Sequence, residues 1–122
     1  IDRELSLPKT LRLFDGTVST LVFTACEDCP HRVGVKYVTL DFTRPILPQL
    51  LAELYARRIQ SVLVEGGTTL IQGLIDAQAW DEAHVEIAPI VLGDGVQAPR
   101  LPMHLNKEVG YIRGNRKEIY RR

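Results

Sequence analysis

The sequence predicts an α/β fold in which a sheet is covered by helices. Short apolar runs rich in β-branched residues alternate with helical patterns, as in chains whose strands are joined by helical crossovers. The chain has 122 residues, of which 45% are hydrophobic and 25% charged, a composition typical of one ordinary globular domain. We therefore expect residues 1–122 to form a single domain with its own core.

The charge balance and the cysteine count narrow the class of protein. Fifteen basic and fifteen acidic side chains cancel, so the net charge favours neither a nucleic acid nor an anionic membrane as partner. No apolar run reaches the length of a membrane span, no signal peptide opens the chain, and two cysteines are too few for a disulfide scaffold. We expect a cytoplasmic protein. Because the chain opens with Ile1 and not with Met, we also expect a fragment of a longer polypeptide.

Two strands and a helix are predicted in the first half of the chain. The run at 20–24 is a short buried strand, and residues 35–40 suggest a second strand after a loop at 25–32. A helix is predicted at 47–58, because its leucines recur on one stripe and Pro48 lies in the first turn, where a missing N–H costs little.

The second half continues the alternation of strands and helices. We predict a strand at 61–65, a helix at about 68–77 and a strand at 82–89. Residues 117–120 are a candidate terminal strand, whereas the structure at 101–105 is left open. No internal repeat or low-complexity segment interrupts this order.

The most informative stretch joins the strand at 61–65 to the helix that follows. Glu65, Gly66, Gly67 and a pair of threonines form a tight turn at the helix N-terminus. Exposed backbone N–H groups and the positive end of the helix dipole suit an anion there, and glycine allows close approach. The turn lacks the glycine pattern of a Rossmann fold and the lysine of a P-loop. A plain strand-to-helix turn with Thr68 as N-cap is the structural alternative.

Three other features favour ordinary structural roles. Cys26, Cys29 and His31 have zinc-like spacing but lack a fourth ligand, so an exposed loop with two thiols is favoured. His84 and Glu86 alternate on one strand face, which favours a solvated or interface face over an acid–base pair. The tail is basic, as solvated termini often are, through a group of five side chains: Arg113, Arg116, Lys117, Arg121 and Arg122.

Three blocks, taken in order, resemble one family. They are Val-Glu-Gly-Gly-Thr-Thr-Leu at 64–70, Trp-Asp-Glu at 80–82 and Ile-Ala-Pro-Ile-Val-Leu-Gly-Asp-Gly at 87–95. Together they resemble the C-terminal reductase domain of the bifunctional riboflavin biosynthesis protein RibD, and the resemblance covers most of residues 1–105. It implies a dihydrofolate-reductase-like three-layer sandwich with a mostly parallel sheet flanked by helices.

The resemblance also implies a reaction and a site. The reaction is NADPH-dependent reduction of 5-amino-6-(5-phosphoribosylamino)uracil to the ribitylamino product. Glu65 matches the carboxylate that contacts substrate. Arg3 falls where related folds read the NADP 2′-phosphate, a role that suits a guanidinium. The cofactor-binding stretch is matched by Gly66, Gly67, Thr68, Thr69, Leu70 and Gly73. No catalytic side chain and no metal are assigned.

Nothing in the sequence matches the front strand and loops of the family's reductase domain, or its usual N-terminal zinc deaminase domain. We therefore expect missing strands, a fragment that is inactive alone, and a homodimer formed through exposed edges, with the 82–89 strand and the C-terminal strand as candidates. Two alternatives remain open: a non-catalytic nucleotide-binding or dimerisation module, and a dihydrofolate-reductase-like paralogue with another pteridine or pyrimidine substrate.

Overall fold

The computed structural model describes residues 1–103 and 105–122, and these form two compact units, Ile1–Val62 and Leu63–Arg122. In chain order the helices and strands are β1 (Thr20–Thr24), β2 (Val35–Thr39), α1 (Ile46–Ala56), α2 (Thr68–Asp76), β3 (Glu82–Ile87), β4 (Lys107–Ile112) and β5 (Asn115–Arg121), with a 3-10 turn at Arg12–Phe14. No helix among the described residues combines the length and the apolar character needed to cross a membrane. The α/β class is confirmed.

The first unit is built on a parallel strand pair. β1 and β2 run side by side in a register that sets Thr20 opposite Val35 and Thr24 opposite Thr39. The N-terminal segment lies along the other side of β1, where the Asp2 N–H donates to the Phe23 carbonyl at 2.9 Å. β-branched and aromatic side chains favour such strands. The buried apolar core of this unit comprises Val22, Phe23, Val35 and Leu40.

The second unit pairs its strands differently. Its sheet has the order β3-β5-β4, and both pairings are antiparallel. β4 and β5 are joined by a two-residue turn in which Arg113 and Gly114 have φ of +49° and +86°, the backbone of a primed hairpin turn. Within the described residues, parallel pairing is thus confined to β1 and β2. The two-residue turn explains why β4 and β5 pair antiparallel.

Both helices end in the same capping geometry. After α1, the Ile59 N–H bonds the Leu54 carbonyl, and after α2 the Ala79 N–H bonds the Leu74 carbonyl, each at 3.1 Å or less. This six-to-one bond identifies a Schellman motif, whose next-to-last residue is left-handed and usually glycine. Here the left-handed positions hold Arg58 and Gln78, with φ of +59° and +53°. The two helices were predicted within two residues of their observed ends.

The predicted strand at 61–65 was wrong, since the structure assigns it neither helix nor strand. Within the described part of the chain, no backbone hydrogen bond joins this run to another strand, and Leu63 is 84% exposed. A β-branched run becomes a strand only beside a partner that accepts its hydrogen bonds.

The three strands of the second unit differ in how well the sequence predicted them. The terminal strand was confirmed and extends to Asn115–Arg121, and the 82–89 strand ends early, at Ile87. β4 was missed, because Val109, Gly110 and Tyr111 give no clear alternation. The prediction that the C-terminal strand is an exposed edge was wrong, because β5 lies between β3 and β4 and has partners on both sides. β3 keeps one side without a strand neighbour among the described residues.

Candidate functional site

The turn that precedes α2 has the backbone that its glycines predict. Gly66 and Gly67 have φ of +80° and +74°, in the left-handed region that disfavours a side chain. A β-carbon built at either position would meet no heavy atom within 4 Å. The glycines are therefore needed for the path of the backbone and not for close packing, and the space beside them is open.

The N-terminus of α2 is available to an anion. Gly67 is the N-cap and supplies no side-chain hydrogen bond, and the described first turn holds no acidic residue. The first N–H groups of a helix lack intrahelical acceptors and carry the positive end of its dipole. The backbone N–H groups of Gly67, Thr68 and Thr69 lie in this region.

Thr68 has a different role from the one considered for it in the sequence. It is the first helical residue and not the N-cap, and its hydroxyl donates to the carbonyl of Gln97 at 3.2 Å. This bond joins the start of α2 to the segment that follows the third resemblance block. Thr69 is exposed and Leu70 is half-buried, so the two neighbours in sequence face different surroundings.

Gly73 lies one turn further along the same helix. It is half-buried, and an added β-carbon would meet nothing within 4 Å. Because residues four apart share a helix face, Thr69 and Gly73 form one small-residue face that begins at the turn. A ligand at the helix N-terminus could extend along that face. Glu65, the predicted substrate contact, is exposed at the start of the turn.

Arg3 belongs to the first unit. Its guanidinium lies 5.5 Å from the ring centroid of Phe42, a cation–π distance. Its carbonyl accepts from the Ala25 N–H and from the Thr24 hydroxyl, both at 2.9 Å. The backbone of Arg3 is therefore anchored to the end of β1, while the residue itself is exposed.

The cysteine loop and the β3 carboxylates have local partners. Cys29 donates its thiol to the Cys26 carbonyl at 3.3 Å, and burial raises the pKa of Cys29. The described residues contain no group of three or more side chains placed to hold a metal. His84 bonds Glu82 at 2.5 Å, whereas Glu86 accepts from Asn115, so His84 and Glu86 do not pair with each other.

One element of the site was missed from the sequence. The side-chain amide of Gln72 pairs with the backbone of Arg100, accepting from its N–H at 2.8 Å and donating to its carbonyl at 3.4 Å. With the Thr68–Gln97 bond, this pairing aligns residues 97–100 along α2. Contacts between residues 28 or 29 positions apart leave no local signal, although glutamine on a helix offers both a donor and an acceptor.

Comparison with known proteins gives consistent similarities. Residues 1–111 match the RibD C-terminal domain family. The riboflavin biosynthesis protein RibD of Bacillus amyloliquefaciens is 36% identical over 108 residues, covering 83% of this chain and 29% of that protein. RibD of Chlamydia pneumoniae is 32% identical over 108 residues, covering 77% and 27%. This chain thus spans less than a third of each of these two relatives.

Solved structures show the same fold. Acinetobacter baumannii RibD superposes with a TM-score of 0.72 at 21% identity, covering 98% of this chain and 36% of that chain. The riboflavin biosynthesis reductase Rib7 of Saccharomyces cerevisiae superposes with a TM-score of 0.64 at 20% identity, covering 83% and 54%. The predicted dihydrofolate-reductase-like fold class is therefore confirmed.

Proposed function

The chain belongs to the RibD C-terminal domain family, and from this premise we propose that it is part of an NADPH-dependent reductase of riboflavin biosynthesis. The proposed substrate is 5-amino-6-(5-phosphoribosylamino)uracil, which would be reduced to the ribitylamino product. The observation that supports this most is the turn at Gly66 and Gly67, which opens an uncapped helix N-terminus into free space.

The described residues fit the pyrophosphate of a dinucleotide. The N–H groups of Gly67, Thr68 and Thr69 would donate to its oxygens, and the helix dipole would favour its charge. The face formed by Thr69 and Gly73 has no bulky side chain of its own and leaves room for the rest of the ligand. When bound, NADPH would supply the hydride for C1′ of the opened ribose.

The remaining roles are carried by single side chains. Glu65 would accept hydrogen bonds from substrate hydroxyl or amino groups, because an ionised carboxylate is an acceptor only. Gly66 and Leu70 would flank the pyrophosphate contacts. Arg3 is a separate candidate for the 2′-phosphate, since a guanidinium donates in a fork that matches phosphate oxygens. We further propose that the protein forms a homodimer, is cytoplasmic and is fused to a deaminase domain.

Calorimetric titration of the chain with NADPH, and separately with NADH, tests the cofactor site. We expect saturable binding that prefers NADPH and that weakens about tenfold or more in Gly67→Ala, because a β-carbon at a φ of +74° displaces the N–H groups. Gly110→Ala, an open strand glycine outside the turn, is the matched control and should bind like the unmodified chain.

The other outcomes are informative in different ways. Equal binding of NADPH and NADH would contradict a 2′-phosphate contact, and Arg3→Gln should abolish the preference without preventing binding. Binding without reduction of the phosphoribosylaminouracil is the result expected of a fragment that is inactive alone, and reduction by this chain would contradict that expectation. Glu65→Gln should then be compared with the unmodified chain for substrate binding alone. Absence of binding in a folded chain would contradict the proposed site.

A further inference from the structure

The first turn of α2 has no side-chain cap of its own. Its N-cap is Gly67, which has no side chain to accept a hydrogen bond from the first N–H groups. The carbonyl of Gly67 accepts from the Ile71 N–H at 3.1 Å, and this bond closes the turn. Helix ends without a capping side chain fray more readily, because their first donors lack acceptors. An anion site at this turn therefore needs another part of the chain to keep it ordered.

Residues 97–100, which we call the strap, are bonded to α2 at two points. The Thr68 hydroxyl donates to the Gln97 carbonyl at 3.2 Å. The Gln72 amide accepts from the Arg100 N–H at 2.8 Å and donates to the Arg100 carbonyl at 3.4 Å. Thr68 and Gln72 are four residues apart and lie on one face of the helix. The strap thus spans the first turn of α2, with one attachment at each end of that turn.

The sequence of the strap makes it stiff. It is neither helix nor strand, and Pro99 within it is half-buried. Proline fixes its own φ and favours an extended backbone at Ala98, so the segment loses less entropy on becoming ordered. Beyond the strap, Leu101 and Pro102 line the same groove as Ile75, in the last turn of the helix. The chain therefore follows α2 from its first turn to its last.

We infer that the strap replaces a side-chain cap for α2 and that Gln72 is a positioning residue for the proposed cofactor site. Gln72 acts through the strap and not by contact with the ligand. It fixes the backbone of Arg100, and the strap in turn holds Thr68 at the start of the helix. An anion then meets donors that are already ordered, so less affinity is lost to ordering them on binding. This inference rests on the proposed function, because it concerns the same helix N-terminus.

Amide hydrogen exchange tests the effect on the helix. Gln72→Met keeps an unbranched side chain and loses both bonds to Arg100. The Ile71 N–H should then exchange about fivefold faster or more, because local opening of the first turn becomes easier. The Ala77 N–H, at the other end of α2, should exchange as before. Asp76→Ala removes only the bond that Gln72 donates to Asp76, and should leave the exchange of Ile71 unchanged.

Titration with inorganic pyrophosphate, and separately with NADPH, tests the effect on binding. Gln72→Met should weaken both about threefold or more, because the turn must be ordered when the ligand binds. Asp76→Ala, the matched control, should bind both no more weakly than the unmodified chain. Thr68→Val removes the hydroxyl that donates to Gln97 and should speed the exchange of Ile71, whereas Thr68→Ser keeps the hydroxyl and the protection. This pair decides if Gln72→Met fails to fold.

The outcomes separate this inference from the proposed function. If the unmodified chain binds pyrophosphate and Gln72→Met binds it equally well, the positioning role is overturned and the proposed cofactor site stands. Faster exchange of Ile71 without loss of affinity would overturn the role as well, since the strap would then only stabilise the helix. If the unmodified chain binds neither pyrophosphate nor NADPH, the proposed cofactor site itself is contradicted, and the positioning role with it.

Discussion

The two compact units use glycine for opposite purposes. In the first unit, a β-carbon on Gly34 would stand 2.9 Å from the Cα of Gly16, closer than real contacts allow. In the second unit, Gly66 and Gly67 have similarly positive φ, but nothing lies within 4 Å of the position a side chain would take. The first pair therefore permits two backbones to touch, whereas the second leaves room for something outside the chain.

The units also differ in what they bury. The first buries four apolar side chains along its parallel strands and satisfies the Asp2 carboxylate with N–H groups of Ser6 and Leu7. In the second, β4 is exposed along its whole length, and the buried residue of β5 is Glu118, 4% exposed. The first unit thus buries four apolar side chains, whereas the second buries Leu74 and Ile75 of α2 and one carboxylate within its sheet.

The largest expected effect comes from a substitution that breaks the glycine contact of the first unit. Gly34→Ala should lower the free energy of unfolding by about 3 kcal/mol, because the new methyl meets backbone and φ is +75°. Gly67→Ala should cost about 1–2 kcal/mol, since only the left-handed backbone opposes it. Urea denaturation followed by circular dichroism measures both. Equal losses would show that the two glycine pairs do not differ as described.

A second prediction concerns the charged network of the second unit. Glu118 accepts from Lys107 at 2.7 Å and from Tyr120 at 2.5 Å, and lies 2.5 Å from Arg116. Hydrogen bonds from Lys107 and Tyr120 lower the pKa of Glu118 below its usual 4.5. A lowered pKa contributes stability above that pH, and this is lost as pH falls through the folded-state pKa.

Glu118→Gln should therefore reduce stability at neutral pH, by less than Gly34→Ala, and flatten the decline of the unfolding midpoint below pH 4.5. Thermal unfolding between acidic and neutral pH measures this. Glu27→Gln, an exposed residue of the first unit, is the control and should follow the unmodified chain. If the unfolding midpoint of Glu118→Gln declined at acidic pH as steeply as that of the unmodified chain, this network would not stabilise the second unit.

The smallest expected effects come from substitutions at one position in each unit. The two positions have the same backbone geometry. Arg58 and Gln78 both occupy left-handed positions after a helix, where glycine is favoured. Arg58→Gly and Gln78→Gly should each raise the free energy of unfolding by about 0.5 kcal/mol, part of the gain being offset by the more flexible unfolded chain. Ala52→Gly, inside α1, should lower it. If Arg58→Gly and Gln78→Gly both lowered the free energy of unfolding, the assigned Schellman motif would be contradicted.

The sequence by itself determined the elements whose signals are local. β1 was predicted at its observed bounds, and α1 and α2 nearly so, because apolar periodicity acts within a few residues. The glycine turn before α2 was also predictable, since a left-handed backbone selects glycine directly. The ordered blocks at 64–70, 80–82 and 87–95 were sufficient to recognise the family.

Only the tertiary structure decided what depends on distant partners. The 61–65 run has strand propensity but no neighbour that accepts its hydrogen bonds, so propensity did not become a strand. The position of β5 between β3 and β4 and the pairing of Gln72 with Arg100 join residues far apart in sequence. No short-range pattern encodes such contacts, because they exist only after the chain has brought both partners together.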